Sequence, residues 1–214
     1  MSQIRTFLAG ATSMAAALAA IVTLTGAKSP LRHETFDEIT VGRINIVEPD
    51  GTKRMIIASK AQFPGLFKQG KEIARPDRRD FAGMLFINEE GTENGGLIQK
   101  GSIAEDGSIA SGLSLTFDRF RQDQAMQLIN TDSASHQRTG LSINDIPFYK
   151  DEGGQMKSRI WLGNTGDKGS ALQLKDAKGR TRMMLLVSAD GKAEIQMLDE
   201  QGKVSKSIVP GSGE

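Results

Sequence analysis

After residue 37 no helical period is sustained, and short apolar runs alternate with turns that close on glycine. Four of these turns share one design: Glu48-Pro-Asp-Gly51, Asn88-Glu-Glu-Gly91, Asp176-Ala-Lys-Gly179 and Asp199-Glu-Gln-Gly202. An acidic or amide residue opens each turn and can bond the turn backbone. The glycine closes it, accepting a positive φ without steric cost. Asp106-Gly107 and Asp190-Gly191 are tighter hairpin signals. A chain punctuated in this way is restricted to antiparallel strands joined by corners, a β-meander.

The runs between the turns agree. Leu113, Leu115 and Phe117 alternate with Ser114 and Thr116; Leu141 and Ile143 flank Ser142; Leu172 and Leu174 flank Gln173. Period-two alternation places one face of a strand on a core and the other in water. Met55–Ala58, Met84–Ile87 and Met183–Val187 are continuous, which predicts strands buried on both faces. Gln122 to Asn130 is the nearest approach to a helix, and it too reads as strand. About a dozen strands in one meander must close, curl or stack to avoid open edges, so the expected fold is all-β. It is a single antiparallel meander, barrel-like or blade-like, after an N-terminal apolar helix.

That helix is suggested by Phe7 to Ala27, a stretch without a charge behind the basic start Met1-Ser-Gln-Ile-Arg5. It reads as a signal peptide with a small-residue site at Thr25-Gly26-Ala27, or as a transmembrane anchor just long enough to span. The expected organisation is therefore 1–27 signal peptide or anchor, 28–37 linker, 38–209 all-β domain and 210–214 flexible tail. The expected location is the cell envelope, periplasmic or extracytoplasmic, with membrane contact through residues 7–27 if they are retained.

Charge and composition exclude several functions. Of 27 basic residues only Arg5 lies in 1–27, leaving 27 − 1 = 26 against 26 acids. That balance gives no basic excess for nucleic acid. The absence of cysteine removes disulfides, thiolate metal sites and cysteine nucleophiles. Two histidines, His33 and His136, cannot make a three-histidine zinc site.

Candidate sites are few. Gly163-Asn-Thr-Gly-Asp-Lys-Gly-Ser170 superficially suggests a phosphate loop. Lys168 precedes the last glycine, however, and a strand pattern follows where a helix is required. The acidic turns lack the distal Glu of a calcium loop. His136, with Ser133 and Ser135 nearby, has no nucleophile-elbow context. No cofactor is implied. Asp118 could serve carboxylate-based hydrolysis with a partner on another strand, although a cross-strand ion pair is the plainer expectation. Phe148-Tyr149 and Trp161 could form a stacking platform, with core packing as the plainer reading.

Two loops stand out. Lys60 to Asp80 breaks the strand rhythm with Pro64, Gly65, Gly70 and Pro76, and it is basic with Phe63, Leu66 and Phe67. Such a loop can contact lipid headgroups or an acidic envelope protein, or it can pack across a sheet through its phenylalanines. Asn88-Glu-Glu-Gly-Thr-Glu-Asn-Gly-Gly96 is richer than one turn needs and reads as a polar binding loop or a wide bulged hairpin. The candidate binding residues are Phe63, Phe67, Arg75, Arg78, Arg79, Glu93 and Asn94.

Arg43-Ile-Asn-Ile-Val-Glu-Pro-Asp-Gly-Thr52, Phe63-Pro-Gly65 and Gly83–Leu97, with its Gly-Thr-Glu-Asn-Gly-Gly core, resemble a set of uncharacterised bacterial β-rich proteins with an N-terminal apolar segment. The resemblance implies an envelope-type β protein and lends no catalytic residue. The function expected from the sequence is noncatalytic envelope binding or scaffolding. A hydrolase acting on an envelope polymer is the alternative.

Overall fold

The structure, a computed structural model, describes residues 33–133, 136–148, 155–166 and 168–211. The apolar segment at 1–27 lies outside these. Among the described residues no helix is long and apolar enough to cross a membrane. Two compact units are distinguished, residues 1–40 and 41–214. In the first, the described residues 33–40 are exposed and without regular secondary structure.

The second unit is all-β. Twelve strands form one antiparallel sheet: β1 (Arg43–Val47), β2 (Lys53–Ala58), β5 (Ala82–Ile87), β6 (Glu93–Ile103), β7 (Ile109–Asp118), β8 (Gln124–Ser133), β9 (Gln137–Asp145), β10 (Lys157–Asn164), β11 (Ser170–Lys175), β12 (Thr181–Val187), β13 (Ala193–Leu198) and β14 (Val204–Ile208). Their spatial order follows the chain. Among the described residues the only interruption is a short hairpin, β3 (Leu66–Lys68) with β4 (Lys71–Ile73), inserted between β2 and β5. Of the segment from Gln122 to Asn130, Gln124 onward is strand, and between β10 and β11 Thr165 N–H donates to Gly169 C=O across the corner. The acid-opened turns form as expected, with positive φ at Gly51, Gly91, Gly179 and Gly202.

The sheet does not close, which corrects the barrel-like alternative of the expectation. β1 and β14 are its two free edges. Strand length falls from 11 residues in β6 to 5 in each edge strand, whereas closure needs a consistent stagger around the whole ring. Substantial contacts between strands run only between sheet neighbours and between β3 and β6, so the sheet is a single layer.

Its two faces differ completely. On one face the cross-strand register aligns an aliphatic side chain from every strand. The row runs Ile44, Ile57, Met84, Leu97, Leu115, Leu128, Leu141, Leu162, Leu172, Leu185, Ile195 and Ile208. Two residues along each strand a second row is also apolar, apart from Gly95 and Lys206. No second layer of strands lies over these rows, and Leu128 and Leu162 remain 49% and 51% exposed.

The other face is covered where segment 59–81 straps across it. There Phe67, from β3, packs with Ile56, Ala58 and Ile87, and Phe63 joins them. Beyond the strap the same face becomes more polar, one register row running Thr116, Gln127, Ser142, Trp161, Gln173 and Met184. The continuous runs Met55–Ala58, Met84–Ile87 and Met183–Val187 are thus not buried on both faces. Ile57, Leu185 and Val187 project from the uncovered side and stay exposed.

Trp161 explains two glycines on the polar face. Its ring lies against the paired backbones of Gly140 and Gly163, where added Cβ atoms would sit 2.8 and 2.7 Å from ring carbons. Nε1–H donates to Asn164 C=O at 3.2 Å, and the Arg138 guanidinium covers the ring at 4.1 Å. Trp161 is 6% exposed, so packing, rather than an open stacking platform, describes it. Gly140→Ala forces a Cβ to 2.3 Å from Leu162 C=O. The expected cost is about 1–3 kcal/mol of stability, read as a fall in thermal midpoint of several degrees. An unchanged midpoint contradicts this packing.

Candidate functional site

The strap ends where the polar face begins, and at that border two adjoining clefts meet. One, of about 240 Å³, runs over β6, β7 and β8 beneath Arg78 and Phe81. The other, of about 390 Å³, opens between the β3–β4 hairpin and the turn after β7. Arg78, Glu93, Asp118 and Gln124 line both. Thr116 and Gln127 continue the first cleft along the sheet.

The strap is fastened by polar contacts. Glu72 Oε1 accepts from Gly65 N–H at 2.9 Å. Gly70 N–H donates to Gly91 C=O at 3.0 Å, and Gln69 N–H donates to the buried Thr92 hydroxyl at 3.0 Å. A Cβ on Gly91 would lie 2.5 Å from Gly70 N, so the two corners touch backbone to backbone. With the hairpin seated, the single 3-10 turn Pro76–Arg78 presents Arg78 to Glu93. The pair is bidentate at 2.9 and 3.0 Å, with side chains only 13% and 11% exposed. Arg78 also donates to Gly65 C=O at 3.1 Å.

Glu93 reaches this position through a bulge. The register against β5 shifts between Phe86 and Ile87, so the stretch 88–96 is a tight corner followed by a bulged strand. Gly95 takes φ 124°, with its Cβ position 2.3 Å from Thr116 C=O; this fits the bulged-hairpin reading of the Gly-Gly pair.

Asp118 sits at a second bulge, where the register shifts between Phe117 and Asp118. The strand ends there. The expected cross-strand ion pair is not made. Asp118 Oδ1 is buried and has no hydrogen-bond partner among the described residues. Burial, with added repulsion from Glu93 and Asp123 and partial relief from Arg78, pushes the Asp118 carboxyl up to about 7. The cleft therefore holds one carboxylate locked to an arginine and one carboxyl poised near neutrality.

The corner after β7 contributes a residue that no sequence signal marked. Arg121 has φ 55°, a left-handed conformation taken by glycine at the acid-opened corners. Its guanidinium clamps Glu90 with contacts of 2.6 to 3.0 Å, and Glu90 also accepts from the Thr92 hydroxyl at 2.7 Å. These bonds, the arginine first, hold the Glu90 carboxyl below its ordinary range.

The other candidates scatter. Phe67 is 2% exposed and Phe63 packs edge-on to Phe81 at 6.0 Å, so neither is offered to a headgroup surface. Arg75 lines the second cleft but is held bidentate at 2.8 Å by Asp77, whose carboxyl drops to about 2 through that bond. Arg79 is exposed, 3.6 Å from Asp80. Asn94 lines neither cleft. Asp106 caps an exposed hairpin corner through Ser108 N–H. The Ser133 hydroxyl donates to the His136 C=O, so it is not aligned on the imidazole as a nucleophile would be. Lys60 and Asp80 pair at 2.8 Å. Neither a scan against family models nor a search of curated proteins finds a match to this chain.

Two outcomes follow. Asp118 binds its proton more readily folded than unfolded. Its stabilising contribution is therefore full below its ordinary value of 3.8 and is lost as pH rises through about 7. The thermal midpoint of Asp118→Asn is expected to fall less than that of the parent between pH 4 and 7.5; parallel curves contradict a raised Asp118. Arg78→Ala strands Glu93 in a largely closed site. Chemical denaturation should show a loss near the lower end of about 3–5 kcal/mol, and the double change Arg78→Leu with Glu93→Leu should recover most of it.

Proposed function

We propose that this protein is a noncatalytic binding or scaffolding protein of the cell envelope, which uses the Asp118 cleft to hold a neutral ligand rich in hydroxyl or amide groups. The observation that carries this reading is the state of the two carboxyl groups. Glu93 has both oxygens committed to Arg78, so it is not free to act as nucleophile or base. Asp118 near neutrality is a hydrogen-bond donor as much as an acceptor, and its buried Oδ1 awaits a partner. Gln124, Gln127, Ser114 and Thr116 extend the lining with amides and hydroxyls. Such groups recognise uncharged polar ligands by the geometry of their donors and acceptors. The envelope location rests on the uncharged run Phe7 to Ala27.

One observation favours hydrolysis instead. Glu93 and Asp118 do converge on a single cleft, and a carboxyl near neutrality suits a general acid. The missing element is a second carboxylate free of an arginine.

Co-sedimentation of the full chain with purified cell-wall sacculi separates the two. Binding that weakens at least tenfold in Asp118→Leu, with no soluble fragments released, is the expected result. Fragment release abolished by Asp118→Asn would establish the hydrolase. No binding to sacculi would remove the wall polymer as the ligand.

A further inference from the structure

The aliphatic face has no role in the cleft and no covering layer. Within strands β6 to β13 the large exposed apolar side chains all project from this face, and none from the strap side. We propose that a second copy of this chain covers it, with the two sheets packed face to face as a two-layer sandwich. This goes beyond the binding reading and does not depend on what the cleft holds.

The area fits. Twelve strands give eleven spacings, which at about 4.8 Å make a row about 53 Å long; two rows about 7 Å apart make a strip about 14 Å wide. The strip covers about 700 Å² per copy, above the ~300–600 Å² of the largest apolar patch on a typical monomer. Two such strips bury about 1,400 Å², inside the ~1,200–2,000 Å² of stable interfaces.

The chemistry fits as well. Within the two rows the only charge is Lys206, on the edge strand β14. A neutral face is complementary to itself without like-charge repulsion, as an isologous contact requires. Two copies of one sheet share the same twist, so their faces can stay in contact when crossed by about 30°. A groove of about 580 Å³ among Leu97, Leu113, Leu128 and Leu162 gives the opposing side chains somewhere to interdigitate.

The absence of cysteine makes the test direct. Single cysteines are placed at Leu97, Leu128, Leu162 and Leu185 on the aliphatic face, and at Gln127, Gln173 and Gln196 on the strap face. The full chain is then oxidised in mild detergent. The expected result is a disulfide-linked dimer from at least one aliphatic-face position and from no strap-face position. Sedimentation is run in parallel on the cysteine-free chain and on Leu128→Lys with Leu162→Lys. A dimer for the first and a monomer with unchanged circular dichroism for the second supports the proposal. The apolar segment 7–27 is common to both, so it cannot produce that difference. Equal crosslinking from both faces, or a monomer without crosslinks, overturns it. So does a monomer that takes up a fluorescent fatty acid and loses it in the lysine variant, which would make the occupant an acyl chain.

Discussion

A single layer of strands can satisfy its backbone hydrogen bonds sideways, but it can bury only what something else covers. Everything particular to this protein follows from where cover exists. Over β2 and β5 the chain supplies it, by detaching 59–81 from the meander and laying Phe63 and Phe67 across one face. Elsewhere the ladders hold the strands together, and the side chains on each face are left to water or to a partner. In-register alternation keeps the two faces distinct, since a slip of one residue would exchange them. The register irregularities all fall near strand ends, at or next to the corners, so the aliphatic row stays in phase across the sheet.

The cleft is a by-product of that partial cover. Where the strap stops, Arg78 must find a counter-charge, and the bulge at the start of β6 delivers Glu93. The bulge at the end of β7 delivers Asp118 to the same place without a cation of its own. Burial, with Glu93 and Asp123 nearby, leaves the Asp118 carboxyl near neutrality, while Glu93 is bound by Arg78. That asymmetry is the chemical content of the site. It comes from two local departures from regular strand geometry, not from any motif.

The acid-opened turns and period-two alternation suffice to read an antiparallel meander, its corners and the strand that begins at Gln124. These signals are local, and the corners obey local stereochemistry. Closure was not legible, because it depends on the cumulative stagger of twelve strands. Burial on both faces at Met183–Val187 was misread for a related reason: hydrophobicity states what a side chain prefers, not whether a second layer is present. Arg78 and Glu93 stood among the candidate residues, but nothing in the sequence paired them, fifteen positions apart and brought together by the strap. For Asp118 the sequence pointed to a cross-strand ion pair, because an opposite charge on a neighbouring strand stabilises a sheet. Arg121 gave no signal, since its left-handed corner occupies a position where the other turns carry glycine.

The sequence by itself determined the strands, the corners and the two-sidedness of the sheet, because each is set by neighbours within a few residues along the chain. Tertiary structure alone decided that the sheet stays open, that its aliphatic side faces outward, and that Arg78, Glu93 and Asp118 share one cleft. These depend on inter-strand stagger and on where a 20-odd-residue strap comes to rest. Both are properties of the whole assembly of strands, and no short stretch of sequence encodes them.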